Sequence, residues 1–564
     1  MNVLRALFFL ILALALVWYG ALVWRFPTHG ALGTDPATYV QMARDLAQRG
    51  TPTHEFLLLQ KLFAQGFSWD AFITPGYHVV PETGAVAPNF AFGFPLLLAI
   101  AYRAFGENAL YWTTPLMGAL TLIATFALGN ELLRDLPPRR RHTISALAVL
   151  LLATTPKQIQ LVLAPMSDVP THLFCVLAVW GALRARPDRF LMRPRQDTRT
   201  AANIAAVPSN TYVWKPVRSW VVFAAFCGVS LGIAYLIRHS ALALLAPLAL
   251  VMARWGETKR ERTRLVIAAL AIFVLTILPD VMYRVNVLGS AFAVESPESA
   301  QRVWLDAPRQ FLQMLGALFS VTGFGPVALL VPLGWWILAR EKNLFAALLL
   351  TTWLLAFLLL HAPLRLTSVF ENSLRYLLPA YPAVALSLSV AVIWILERAL
   401  NGMRAARTRF APRTLVVYAL ALFAIVTLGV ALRALMGPER FAARAYGWMS
   451  ETARADLEKL DLELPRDAVI GASDQMAGAV MLYAQREVFR PANFLEPARE
   501  FPQFLQAMKN ENRAVYVLGD WNCAPDANAS ERLPAWLGLY ETGDWRLVIR
   551  DLPYACAQKL YEVK

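Results

Sequence analysis

Charge is scarce in this sequence. Only 16% of its 564 residues are charged and 57% are hydrophobic, a balance foreign to a soluble protein of this length. Cysteine is nearly absent, with four in all. Cys175 and Cys227 fall in apolar runs and read as buried free thiols. Cys523 and Cys556 lie near the C-terminus, where a disulfide fits if that region faces an oxidising compartment. Missing altogether are the G-x-x-x-x-G-K-[ST] phosphate loop, H-E-x-x-H, C-x-x-C and the dinucleotide fingerprint. No internal repeat or low-complexity tract is evident.

Apolar stretches dominate instead, recurring from the N-terminus to about residue 436, each suited to a bilayer core of about 30 Å. The fold expected is a polytopic α-helical membrane protein. Eleven spans are read, at 5–24, 109–133, 143–161, 169–184, 219–237, 240–253, 265–283, 315–339, 344–361, 376–396 and 415–436. The first is long and lacks a small-residue cleavage site, so it reads as an uncleaved span and not as a signal peptide.

The formal charge of +14 is unevenly spread. Residues 437–564 hold 15 basic and 19 acidic side chains, which leaves 38 basic and 20 acidic for the membrane portion. The basic residues sit in short loops such as "LRDLPPRRRH", "RWGETKRERTR" and "RALNGMRAARTRFAPR", so membrane orientation explains them and no nucleic-acid partner is expected. These loops are assigned to the cytoplasm together with the N-terminus. An odd number of spans then places residues 437–564 on the opposite side.

Two parts divide the chain: a membrane domain, 1–436, and a soluble domain, 437–564. The first outward loop, 25–108, is too long for a connector. It opens with the amphipathic segment 36–49, headed by Asp35 and Pro36, and ends with an apolar segment, 92–105, too short for a comfortable crossing and read as interfacial. In the tail, "RDAVIGAS", "RAVYVLGD" and "WRLVIRDL" read as strands, with "SDQMAGAVMLYAQ" and "EFPQFLQAMKN" as helices, a small α/β domain. "DLEL" at 461–464 reads as a solvated face.

The ionisable groups gather at the outer ends of spans, where charge is costly and often functional. They are Asp35, Asp168, Arg238 with His239, Asp280 with Arg284, and Arg365, Glu371 and Arg375. Each has a structural alternative. Asp35 suits an N-cap with Pro36 at the first helical position, and Asp168 suits helix initiation. Asp280 and Arg284, at i and i+4, suit a structural pair. His54 and His78 are isolated and lack a ligand set for a metal.

"DPATYVQMARDLAQRG", "NFAFGFPLLLAIAYRAFGEN", "APMSDVPTHLF", "LGIAYLIRHSALALLAPLAL" and "SLRYLLPAYPAVAL" together resemble, in order and sidedness, segments of the membrane-embedded type C glycosyltransferases. These enzymes use polyprenyl-phosphate sugars. They include protein O-mannosyltransferases, the lipid A aminoarabinose transferase and rhizobial lipopolysaccharide galacturonosyltransferases. The resemblance implies their fold, a bacterial inner-membrane location and a periplasmic C-terminal domain. It also implies transfer of a sugar from the lipid donor to an envelope lipid, glycan or protein, with inversion. Asp35 takes the role of general base and Asp168 assists. Arg375, then Arg238 with His239, would bind the donor phosphate, and Tyr39 and Tyr376 would position substrate. Many members carry two adjacent acids in the first loop. Here Pro36 follows Asp35, so no metal or other cofactor is assigned.

Two rivals from other classes are a transporter or flippase for a lipid-linked sugar and a non-catalytic membrane subunit. Transporters commonly show internal repeats and charges near the midplane. Charges at outer ends, a large first loop and a separate tail domain favour the enzyme.

Overall fold

Apolar helices without a cleavable break should bundle, and they do. The computed structural model describes residues 3–63, 65–80, 83–185, 219–256, 258–291, 303–320, 322–364, 374–405, 447–521, 547–551 and 557–563. The expected span 415–436, together with Arg365, Glu371, Cys523 and Cys556, lies outside the described residues. Among the described residues, five helices are long and apolar enough to cross a membrane. A sixth is added if Pro138–Thr154 and Pro156–Val162, bent by 65° at Thr155, count as one.

Of the remaining expected spans, 5–24 and 169–184 form the continuous helices Val3–Arg25 and Asp168–Arg184, while 315–339 and 240–253 are broken. Residues 315–339 do not form one helix: Ala307–Leu318 ends before a turn, and a 3₁₀ turn, Gly325–Leu330, leads into Val331–Arg340. Gly325 takes φ 69° and Pro326 follows it. Left-handed glycine and proline together stop a helix regardless of how apolar its neighbours are. The stretch 240–253 likewise starts as a 3₁₀ turn, His239–Leu244, before Leu245–Met252.

Small residues let the helices approach closely. Gly228 faces the Ala269 carbonyl and Gly334 the Ser387 carbonyl, with no room for a side chain at either. Buried hydroxyls such as Thr121, Ser387 and Ser389 donate to the carbonyl four residues back, so they add no unsatisfied donor to the apolar bundle. The Lys259–Val287 helix turns Val274, Leu275 and Met282 outward, all more than half exposed, a face suited to lipid.

The bundle has two chemically different ends. At one, Arg140 pairs with Glu341 at 2.8 Å and Arg184 with Glu131 at 3.2 Å, joining the arginine-rich loops. At the other lie the first loop and the tail. The first loop carries helices Thr34–Arg49, Leu57–Phe63 and Gly93–Phe105 and a hairpin, Tyr77–Val79 with Val86–Pro88. The tail forms a five-stranded sheet in the order Glu487–Phe489, Val469–Gly471, Val515–Trp521, Ala557–Val563, Leu547–Asp551. The first three strands run parallel and the last two complete it antiparallel.

Tail and loop are one packed unit. Gly30–Ala31 pairs antiparallel with Trp448–Met449. Ala37, Tyr39, Phe94 and Ile237 share a buried cluster with Met449, Met476 and Tyr483.

Candidate functional site

The Thr34–Arg49 helix buries Tyr39, Met42 and Ala43 and ends at Gly50 in the left-handed conformation, a common helix stop. Its start differs from the expectation. Gly33 occupies the N-cap position, and Asp35 is the second helical residue. The helix begins early because Gly33 alone tolerates φ 84°, so the Asp35 carboxylate is not needed as a cap. It is turned instead to Arg375, whose Nη2 lies 2.9 Å from Asp35 Oδ2. A carboxylate in the first turn is still favoured by the helix dipole.

Asp168 heads the Asp168–Arg184 helix and is almost wholly buried. Arg238 donates to its Oδ1, while Oδ2 has no hydrogen-bond partner among the described residues. Arg238 sits between Ser219–Ile237 and the following 3₁₀ turn, in extended backbone. Its guanidinium lies 5.2 Å from the centroid of the Tyr376 ring, and that of Arg375 lies 5.1 Å from it. Tyr376 thus meets both cations, each at cation–π distance. His361 packs 5.3 Å from the same ring.

Tyr39 closes the circuit. Its hydroxyl shares a 2.9 Å hydrogen bond with Ser167 Oγ, next to Asp168. Phe90 and Phe94 hold its ring, with centroids at 5.0 and 5.2 Å. Burial, reinforced by the nearby Asp35 charge, pushes the Tyr39 phenol well up, so it stays a neutral hydroxyl.

Four segments far apart in sequence therefore bring Asp35, Tyr39, Asp168, Arg238, Arg375 and Tyr376 together at one end of the bundle. His239, grouped with Arg238 in the sequence, is placed elsewhere. Arg238 is extended while His239 opens the 3₁₀ turn, and the His239 ring stands 2.8 Å from the Arg284 guanidinium and 3.5 Å from Asp280. Asp280 and Arg284 pair at 2.8 Å, as their spacing implied. Ser167, His361 and Phe90 were not singled out in the sequence; none lies in a spacing that marks it. On another face of the Thr34–Arg49 helix, a cleft of about 750 Å³ is lined by Gln41, Arg44, Glu107, Arg454 and Tyr483, away from Asp35.

No family model and no curated protein matches the sequence. Solved structures do match. ArnT from Cupriavidus metallidurans, in a crystal structure bound to undecaprenyl phosphate, superposes with a TM-score of 0.57 at 15% identity, covering 98% of this chain and 97% of that one. The chain has the fold of ArnT. The oligosaccharyltransferase of Archaeoglobus fulgidus in the apo form matches with a TM-score of 0.56 at 15% identity, over 91% of this chain and 70% of that one. A structure of the archaeal enzyme AglB with an inhibitory peptide and a dolichol-phosphate gives 0.55 at 14%, over 90% and 69%. The ArnT-like fold runs through both the helical bundle and the tail, and it is the fold implied by the resemblance to type C glycosyltransferases.

Proposed function

We propose that this protein transfers a sugar from a polyprenyl-phosphate donor to an acceptor hydroxyl of the bacterial envelope, on the periplasmic face of the inner membrane. The observation that carries this reading is the circuit Asp35–Arg375–Tyr376–Arg238–Asp168, two carboxylates interleaved with two guanidiniums at the end of an apolar bundle. The ArnT-like fold and the undecaprenyl phosphate in the ArnT structure support it.

The reaction follows from these charges. The acceptor oxygen attacks the anomeric carbon, its proton passes to Asp35, and the bond from that carbon to the phosphate oxygen breaks. A positioned base of this kind typically contributes 10²–10⁴-fold. The leaving polyprenyl phosphate is an anion, and Arg375 and Arg238 neutralise it. Without substrate, Arg375 is held by Asp35. When the donor phosphate arrives it competes for Arg375, which frees the carboxylate to act as base. Asp168, buried and paired with Arg238, assists by holding that cation at the site, and Tyr39 and Tyr376 position the substrate, Tyr376 beside both guanidiniums.

The test compares three strains by mass spectrometry of envelope lipids and glycans. One lacks the chain, one is complemented with it, and one carries Asp35→Asn at matched expression. A sugar mass absent from the first and third and present in the second is expected, and it names the transferred group. Product at the normal level in the Asp35→Asn strain would overturn the assignment of the base.

A further inference from the structure

The tail makes an unusual set of contacts with the few residues that precede Asp35. The His29 N–H donates to the Met449 carbonyl at 3.0 Å, and the Ala31 N–H to Tyr483 Oη at 2.8 Å. The Leu32 N–H reaches the Gly447 carbonyl at 3.2 Å and the Gly33 N–H the Gln475 carbonyl at 3.1 Å. The backbone leading to Asp35 therefore depends on tail groups for its donors.

The tail also closes on the first turn of the helix itself. Gly447, at φ 93°, lies so close to Pro36 that a Cβ there would overlap the proline ring, and Ala164 lies behind it. A Cβ on Gly478 would stand 2.6 Å from the Cβ of Ala37. The helix residues in these two contacts, Pro36 and Ala37, are the immediate C-terminal neighbours of Asp35.

Tyr483 is held with comparable care. It sits in a π-helical turn, Val480–Ala484, followed by Gln485 at φ 48°, an arrangement that costs energy and is kept where the surroundings enforce it. Its hydroxyl also bonds Tyr111 Oη at 2.9 Å, and Arg454 lies 5.3 Å from its ring centroid.

We propose that the C-terminal domain positions the Asp35 carboxylate, with Gly447 and Tyr483 as positioning residues: Gly447 by contact with Pro36, Tyr483 by the hydrogen bond to Ala31. This rests on Asp35 being the base. Reacting groups must be held within about 0.5 Å of the productive geometry, and a misplacement of about 1 Å can cost roughly 10²-fold in rate. A domain that only anchored the loop would leave that rate alone.

The experiment uses the full chain with Gly447→Ala, Tyr483→Phe, Asp35→Asn and Leu460→Ala. Leu460 is a buried tail residue that shares the apolar cluster of Tyr483 but makes none of the hydrogen bonds or glycine contacts above, so Leu460→Ala lowers tail stability without removing them. Three readouts are compared: sugar-modified product formed in cells at matched protein level, thermal stabilisation of the purified protein by undecaprenyl phosphate, and amide exchange of residues 29–37. Gly447→Ala is expected to lower product formation about tenfold or more, and Tyr483→Phe about threefold. Both should keep the stabilisation by undecaprenyl phosphate and exchange faster at residues 29–37. Leu460→Ala should lower the unfolding temperature and keep product formation.

If Gly447→Ala fails to accumulate, Tyr483→Phe decides by the same readouts. Normal product from Gly447→Ala and Tyr483→Phe, with none from Asp35→Asn, would overturn the positioning role and leave the base standing. A loss in Leu460→Ala equal to that in the other tail variants would reduce the tail to an anchor. Normal product from Asp35→Asn would overturn the base assignment, and this proposal with it.

Discussion

At the scale of single residues, the two arginine–carboxylate pairs differ in burial, and that decides what each substitution tests. Asp168 is 1% exposed as a side chain and its partner Arg238 17%. Arg238→Ala strands a buried carboxylate and should cost about 3–5 kcal/mol, read as a lower midpoint of unfolding in detergent. Asp35 and Arg375 are slightly more open, at 12% and 21%, so Arg375→Ala should cost less, about 1–3 kcal/mol. That variant stays folded and isolates the charge: its thermal stabilisation by undecaprenyl phosphate should disappear. A retained shift would move phosphate binding off Arg375. The same pair bears on metal use. A guanidinium already faces Asp35, and Pro36 stands where a second acid would be needed to build a cation site. Transfer should persist after EDTA treatment; activity lost with EDTA and restored by a divalent cation would make Asp35 a ligand. The acids and arginines could be read from the sequence because charge beside apolar runs is conspicuous. Ser167 and His361 could not, because serine and histidine near helix ends carry no such contrast.

Among elements, helices whose boundaries were set by composition were legible and those set by backbone conformation were not. Ala109–Leu132 and Leu344–His361 lie within one residue of the expected 109–133 and 344–361, since their ends are marked by polar residues. The 315–339 stretch is apolar apart from Ser320 and Thr322; its first helix ends at Leu318, where Ser320 Oγ donates to the Ala317 carbonyl, and the left-handed Gly325 with Pro326 begins the next turn. The Thr34–Arg49 helix began earlier than Pro36 suggested for the same kind of reason, a positive φ at Gly33. In the tail, Glu487–Phe489 is too short to show alternation, and its pairing with Val469–Gly471 is visible only in the folded chain. Close helix approach is the other feature hidden from periodicity. Gly334 abuts the Ser387 carbonyl, and Trp335 Nε1 donates to Ser387 Oγ at 2.9 Å. Gly334→Val forces these helices apart and should destabilise by roughly 1–3 kcal/mol. Equal unfolding midpoints for the variant and the parent would show that the contact is loose.

For the whole molecule, the charge pattern and the length of one helix lead to a testable orientation. The tail meets the start of the Ala109–Leu132 helix, where Glu107 lies 2.6 Å from Arg44 and Tyr111 bonds Tyr483. The loop "LRDLPPRRRH" lies at its other end, 24 residues away, or about 36 Å at 1.5 Å per residue. That is close to the thickness of a bilayer core. We therefore propose that the tail and the arginine-rich loop lie on opposite sides of a membrane, with the loop in the cytoplasm as the positive-inside rule expects. A cysteine scan reads this directly. Cys175 and Cys227 are buried, so replacing Cys523 and Cys556 by serine gives a quiet background. Leu462, 84% exposed on the tail, and Asp135, exposed in the basic loop, are then replaced one at a time by cysteine. In intact cells a membrane-impermeant maleimide should label Leu462→Cys and leave Asp135→Cys until the membrane is opened. The reverse pattern would put Asp35, Arg375 and the tail on the cytoplasmic side. The sugar donor would then have to be sought there, and the envelope acceptor would be wrong.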